Sequence, residues 1–213
     1  FYLGGIIMTV TRIEAVSNSK NKFKVYVDEQ FAFVLYKGEL SRYHVKEGEE
    51  LAEEIYTEIY EEVIVKRAKL RALHLLNTMG RTEVQLRQKL MQSDYPEEVI
   101  QKAMEYVKSF GYVNDAEYAR SFILNRKDKK SRKELYMQLI QKGISTDVLD
   151  YIFEECYDDN SSKEAIYSLL QKKRYNPETA SREETQKILA FLTRKGFSYE
   201  DIRQVLQVSE WNA

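Results

Sequence analysis

Leu135-x3-Leu139-x3-Gly143-Ile144-Ser145-x2-Val148-Leu149-x3-Phe153 is a pattern that this chain carries three times. Its counterparts are Leu86-x3-Leu90-x3-Asp94-Tyr95-Pro96-x2-Val99-Ile100-x3-Met104 and Ile188-x3-Leu192-x3-Gly196-Phe197-Ser198-x2-Asp201-Ile202-x3-Leu206. The offsets are 49 and 53 residues, a period that marks supersecondary repeats. Residues four apart share a helix face, so each copy reads as helix, stop, helix. Gly143 and Gly196 suit the left-handed conformation that ends a helix, and Ile144 and Phe197 supply the apolar contact after it. Asp94 stands at this position in the first copy, a tolerable but poorer choice.

Working outward, each copy has punctuation before it. Thr82-x-x-Gln85, Ser131-x-x-Glu134 and Ser181-x-x-Glu184 read as capping boxes that open the middle helix. The third box lies three residues earlier relative to its leucines, which predicts a helix longer by about one turn. A leading helix is announced by Asn114-x-x-Glu117 and by Ser161-x-x-Glu164, and Ser145 and Ser198 are placed to cap the last helix of their copies. Each unit is therefore three short helices. One such unit has little surface to bury alone, so neighbours are expected to stack end to end. The expected fold is mainly α: tandem three-helix repeats in an elongated array, with a small N-terminal β-meander.

The meander is read from about Val10 to Leu35. Phe23, Val25 and Val27 alternate with Lys24, Tyr26 and Asp28, which is a strand period, and the cluster from Ser17 to Asn21 precedes them as a turn. From Val45 to Val65 eight glutamates accompany one lysine. Leu51, Ile55, Ile59 and Val63 fall at helical spacing there, giving an amphipathic helix with an acidic face. The sign flips at Lys66-Arg67-Ala68-Lys69-Leu70-Arg71, and Ala72, Leu75, Leu76 and Met79 continue the stripe. The expected segments are 1–45 (extension and β segment), 46–113 (acidic helix and first repeat), 114–159 (second repeat) and 160–213 (third repeat and tail). Residues 1–7 are apolar but too short to span a bilayer and lack the basic start of a secretion signal. Met8 is read as an initiator, with those residues an extension.

Composition narrows the function classes. The 213 residues include only 8 glycines and 2 prolines, and the formal net charge is −1. A dedicated nucleic-acid binder is usually strongly basic, so DNA binding through overall charge is not expected. Cys156 is the single cysteine, which rules out an intrachain disulfide and fits a reducing compartment. Its acidic neighbours Glu154 and Glu155 disfavour a thiolate. A phosphate loop, a nucleophile elbow and a zinc-binding H-E-x-x-H are all absent. His44 and His74 lie in different elements and read as surface or packing residues. Asp158-Asp159 lacks the spacing of a metal loop and reads as a helix end or linker. No catalytic residue, metal or cofactor is assigned.

The strongest binding candidate is Arg126-Lys127-Asp128-Lys129-Lys130-Ser131-Arg132-Lys133, at the junction of the first and middle helices of the second repeat. Helix N-termini favour anions, and adjacent cations add to that field. The equivalent junction of the third repeat carries Lys172, Lys173 and Arg174. Around the first repeat stand Arg67, Lys69, Arg71 and Arg81. Solvated loops are the competing reading for any one cluster. Recurrence at equivalent junctions favours a binding face made of Arg126, Lys127, Lys129, Lys130, Arg132, Lys133, Lys172, Lys173 and Arg174.

Phe110-Gly111-Tyr112-Val113-Asn114-Asp115-Ala116-Glu117-Tyr118-Ala119-Arg120-Ser121-Phe122-Ile123-x-x-Arg126 resembles the signature of the RecX family of recombination regulators. Ser131-Arg132-x-x-Leu135-x3-Leu139-x3-Gly143-Ile144 continues the likeness, which covers roughly residues 50–208. On local physics the signature is a joint: Gly111 ends one helix, Asn114 or Asp115 starts the next, and Tyr118, Ala119, Phe122 and Ile123 form an apolar face. The resemblance implies more than the periodicity does. It implies a cytoplasmic, monomeric molecule of tandem three-helix repeats that binds the RecA recombinase filament on DNA. It further implies inhibition of ATPase, strand-exchange and coprotease activities, with at most weak DNA contact and no membrane. The alternatives are a direct DNA-binding regulator built of helix-turn-helix-like units and a scaffold for another helical protein.

Overall fold

In a computed structural model the described residues are 7–17 and 19–206. Asn18 of the expected turn, and all but the last residue of the expected 1–7 extension, lie outside them. The chain divides into two compact units, Phe1–Val113 and Asn114–Ala213. It is mostly helical, with three-helix units and a small N-terminal antiparallel sheet.

In the first unit, β1 (Ile7–Ala15), β2 (Lys22–Val27) and β3 (Gln30–Tyr36) are followed by α1 (Lys37–Arg42) and β4 (Glu50–Ala52), and the sheet order is β3-β2-β1-β4. Val25 and Val27 are buried, as the alternation requires. The helix expected from Val45 begins only at Glu53. Gly48 turns the chain at φ +82 and donates its amide to the Val10 carbonyl at 2.8 Å. Leu51 then enters the core from β4, opposite Met8. The sheet thus gains a fourth strand well beyond Leu35, the end of the expected meander. An inward strand residue followed directly by a helix over the same core mimics a helical stripe.

From Glu53 the chain is helical without a break through α2 (Glu53–Glu58), a π-helical stretch (Ile59–Val65) and α3 (Lys66–Thr78). Ile59, Ile64, Val65, Ala68, Ala72 and Leu75 are buried along it. Met79 is not part of the stripe: it lies beyond the helix in extended conformation and is exposed. After α4 (Glu83–Met91) and α5 (Glu97–Ser109), one continuous core joins the sheet to all three helices of the first repeat. Thr82 and Gln85 form the expected reciprocal box, both bonds at 3.3 Å. Asp94 adopts φ +58, and its carboxylate accepts from Lys24 Nζ on β2 at 2.9 Å.

In the second unit, α6 (Asp115–Leu124), α7 (Arg132–Gln141) and α8 (Thr146–Cys156) form the second repeat, and α9 (Asp159–Lys173), α10 (Arg182–Arg194) and α11 (Tyr199–Leu206) the third. Each closes its own cluster, one around Leu135, Leu139 and Phe153, the other around Ile166, Leu192 and Ile202. α10 has 13 residues against 10 in α7, the extra turn expected from its earlier cap. Asn114, Ser131 and Ser181 accept from the amides of Glu117, Glu134 and Glu184 at 3.1, 3.1 and 3.2 Å. Only Glu184 returns the bond, accepting from the Ser181 amide at 2.8 Å. Glu117 turns instead to Arg120, and Glu134 to Lys130.

Two expected caps are corrected. The N-cap of α9 is Asp158, not Ser161: its carboxylate accepts from the Ser161 amide at 2.8 Å and hydroxyl at 2.7 Å. An anionic acceptor three residues earlier suits the positive end of the helix better than a neutral hydroxyl, and Ser161 becomes a buried first-turn residue. Ser145 occupies the N-cap position of α8 without a side-chain hydrogen bond. Ser198 does cap α11, accepting from the Asp201 amide at 3.0 Å.

Candidate filament- or nucleic-acid-binding surface

The connection between α6 and α7 is wound rather than loose. Lys127 N–H returns to the Ile123 carbonyl at 2.8 Å, and Lys130 N–H to that of Arg126 at 3.1 Å. This winding distributes the six cations of the first cluster unequally. Lys127 Nζ donates to the Cys156 carbonyl at 3.1 Å, at the end of α8 where carbonyls want a cation. Lys130 Nζ pairs with Glu134 at 2.6 Å and Lys129 with Asp128 at 3.2 Å. The Arg126 guanidinium lies 4.1 Å from the Phe122 ring centroid, and that of Arg132 lies 5.2 Å from Phe153. Lys133 is exposed and makes no ion pair among the described residues. Arg126, Arg132 and Lys133 are therefore the cations available to a partner, whereas Lys127 and Lys130 hold the connection together.

At the equivalent junction of the third repeat, Lys172 and Lys173 occupy the last turn of α9 and Arg174 ends it at φ +54. All three are exposed, with Lys173 Nζ 4.7 Å from the Phe191 ring centroid. The first repeat differs. Arg67 is spent on the Val34 carbonyl at 3.0 Å and on Glu39, and Arg81 on the Leu75 carbonyl at 3.4 Å.

Long-range packing adds residues that the linear reading missed. Ser131 Oγ caps α7 and also donates to the Lys195 carbonyl at 2.6 Å, which carries the turn after α10 to the start of α7. Gly196, at φ +88, allows this approach: a Cβ there would lie 3.0 Å from Ser131 Oγ and 3.1 Å from Lys133 Cβ. The Tyr157 hydroxyl donates to the Lys130 carbonyl at 3.3 Å on the same joint. A groove of about 450 Å³ opens here, lined among others by Arg132, Lys133, Asp158 and Asp201. Lys172, Lys173 and Arg174 do not line it. Lys142 also joins the Arg126 side, 5.6 Å from the Phe122 ring. The repeat offset hints at Lys195, because it precedes the glycine that ends α10.

No group of three or more His, Cys, Asp or Glu among the described residues is arranged to hold a metal. Burial, reinforced by Glu155, pushes the Cys156 thiol up, away from a reactive thiolate. Two hydrogen bonds from Arg120, each 2.8 Å, hold the Glu155 carboxyl below its ordinary range and tie α6 to α8. Among the described residues no helix is long and apolar enough to cross a membrane.

Comparison with known proteins agrees with this architecture. Residues 68–106 match the family model of the RecX first three-helix domain, and residues 162–206 that of the RecX third three-helix domain. The chain is 30% identical over 203 residues to the regulatory protein RecX of Caldanaerobacter subterraneus subsp. tengcongensis, covering 95% of this chain and 100% of that one. Among solved structures, a RecX from Lactobacillus salivarius aligns at TM-score 0.59 and 28% identity, covering 67% of this chain and 94% of that one. A further crystal structure, of a regulatory protein RecX, shares the fold at TM-score 0.59 and 24% identity, over 94% of this chain and 100% of that one.

Proposed function

The chain belongs to the RecX family, and on that premise we propose that it regulates RecA by binding the recombinase filament on DNA. In this reading it is a binding protein without catalysis, acting in the cytoplasm as a monomer. It inhibits the recombinase, ATPase and coprotease activities of the filament. The observation that carries the reading is the likeness over nearly the whole chain to a curated regulatory protein. The repeated placement of exposed cations at the junctions of the second and third repeats supports it. A filament presents acidic protein surface and phosphate at regular intervals, and linked weak contacts to such a lattice add up. Arg126, Arg132 and Lys133 supply one contact, and Lys172, Lys173 and Arg174 another.

The test neutralises these six to Gln and leaves Lys127 and Lys130 in place. Inhibition of RecA ATPase and strand exchange is expected to weaken about tenfold or more at low salt, the gap to the parent narrowing as salt screens the parent's own contacts, with helicity unchanged. Equal inhibition at every salt concentration would mean that the binding face lies elsewhere. The alternative, a direct DNA-binding regulator, draws on the Arg126–Phe122 pair, a cation beside a half-buried aromatic ring. It requires a steeply salt-dependent mobility shift on naked DNA.

A further inference from the structure

The first unit holds a second recognition surface, unrelated to the junction cations. Between the end of β3 and the face of α3 lies a groove of about 600 Å³ whose wall includes Lys22, Tyr36, Arg67, Leu70, Arg71 and His74. Among the described residues Asp94 is the only acidic one lining it, and its carboxylate is already taken by Lys24 at 2.9 Å. Arg67 is likewise committed, to Glu39 and the Val34 carbonyl. Lys22 and Arg71 make no ion pair among the described residues. Beside them Leu70 is 61% exposed in the middle of α3, an aliphatic side chain left in water where the helix could carry a polar one. The groove is thus lined by two cations without an ion pair and by an exposed aliphatic side chain.

Its shape and chemistry discriminate between anionic partners. A single-stranded nucleic acid needs a free aromatic face for its bases and a run of cations for its phosphates. Tyr36 is the exposed ring, but the Arg67 guanidinium sits 4.7 Å and Lys22 Nζ 5.6 Å from its centroid. That ring is engaged by the protein's own cations, and two uncommitted charges are too few for a phosphate chain. A peptide with carboxylates flanking an aliphatic residue matches instead. β3 is an edge strand that borders the groove. In an extended peptide residues at alternate positions share one face, so two carboxylates and an aliphatic residue at such positions can all meet the groove.

We propose that the groove between β3 and α3 docks an acidic protein segment in which carboxylates flank an aliphatic side chain, held by Arg71, Lys22 and Leu70. This surface lies in the first unit and stands whether or not the junction cations bind a filament.

Fluorescence anisotropy with the full chain tests it. The probe is a labelled peptide with Glu, Leu and Glu at alternate positions separated by Ser, and its Lys-for-Glu analogue is the control. The acidic peptide is expected to bind saturably and the control not to bind. Arg71→Glu combined with Lys22→Glu should weaken binding by about tenfold or more, the effect of reversing two partly exposed charges. Leu70→Ser, which leaves every charge in place, should weaken it several-fold. All variants should melt as the parent does, because these side chains lie outside the core. Undiminished binding by the charge-reversed protein overturns the proposal. So does competition by an oligothymidylate that the same two substitutions abolish, which would make the groove a phosphate site.

Discussion

The first repeat and the two that follow share a sequence pattern but bury it differently. The first is fused to the sheet in one core, whereas the second and third each close a smaller cluster and are joined by directed polar contacts. One position records the difference. After the middle helix stand Asp94, Gly143 and Gly196, all with positive φ. In the first repeat a lysine from the sheet reaches the aspartate, so a residue with an intrinsic backbone cost is held by its partner. In the third, Ser131 and Lys133 crowd the same position and leave no room for a Cβ. The surroundings, not the helix, choose the residue that stops it.

The comparison breaks first, and with the largest effect, on the cores. Leu90→Ala and Leu139→Ala each remove a fully buried side chain and should cost about 2–5 kcal/mol. Hydrogen exchange should then separate them. Leu90→Ala is expected to deprotect β2 and β3 as well as α4, because their core is shared, and Leu139→Ala to deprotect α6 to α8. Unchanged protection of the strands in Leu90→Ala would refute the shared core.

Next come the glycines. Gly196→Ala meets both the left-handed backbone and the clash with Ser131 and Lys133, so roughly 2–3 kcal/mol is expected. Gly111→Ala, at φ +69 with nothing within 4 Å, should cost only about 1 kcal/mol. Equal losses in chemical denaturation would remove the case for close approach. Asp94→Gly trades a part-exposed ion pair for an unstrained backbone, and should fall within about 1 kcal/mol of neutral.

The smallest effect is in pH. Glu155, Asp158 and Glu184, all in the second unit, are held below their ordinary values by Arg120, by Ser161 and by the Ser181 amide respectively. Their stabilisation is present above the unfolded values near 4 and is lost as pH falls through the lower folded ones. Lys24 in the first unit is raised from 10.5 by its bond to Asp94. Its contribution is present below that value and is lost as pH climbs past it. Acid should therefore loosen the second unit's helix starts, and alkali the Asp94 turn, each modestly because the groups face water. Exchange measured near both extremes would show whether the two losses separate.

Much of this was legible because it is local. Thr82, Asn114, Ser131 and Ser181 cap helices that their own neighbours define, and the extra turn of α10 follows from the offset of its cap. The failures occur where two local readings compete or where the partner is distant. Asp158 and Ser161 each fit an N-cap, and only the helix start decides between them. Leu51 fits a helical stripe as well as a three-residue strand too short to show alternation. The π-helical stretch has no sequence sign that we can identify. In the candidate surface the cations were visible, but nothing in the run from Arg126 to Lys133 foretold that Lys127 would close α8, 29 residues away.

Ser131 connects two events that are separate in most helical proteins. Its oxygen accepts from the Glu134 amide in the first turn of its own helix, and its hydroxyl donates to the Lys195 carbonyl in the next repeat. Fraying at the start of α7 releases that carbonyl, and lifting the third repeat away removes the acceptor that orients the capping hydroxyl. In a one-dimensional array, where stability is a sum of intrinsic and nearest-neighbour terms, a single hydroxyl here carries part of both. Ser131→Ala should accordingly lower the cooperativity between the two repeats as well as their stability, and the unfolding of the second unit should broaden into two steps.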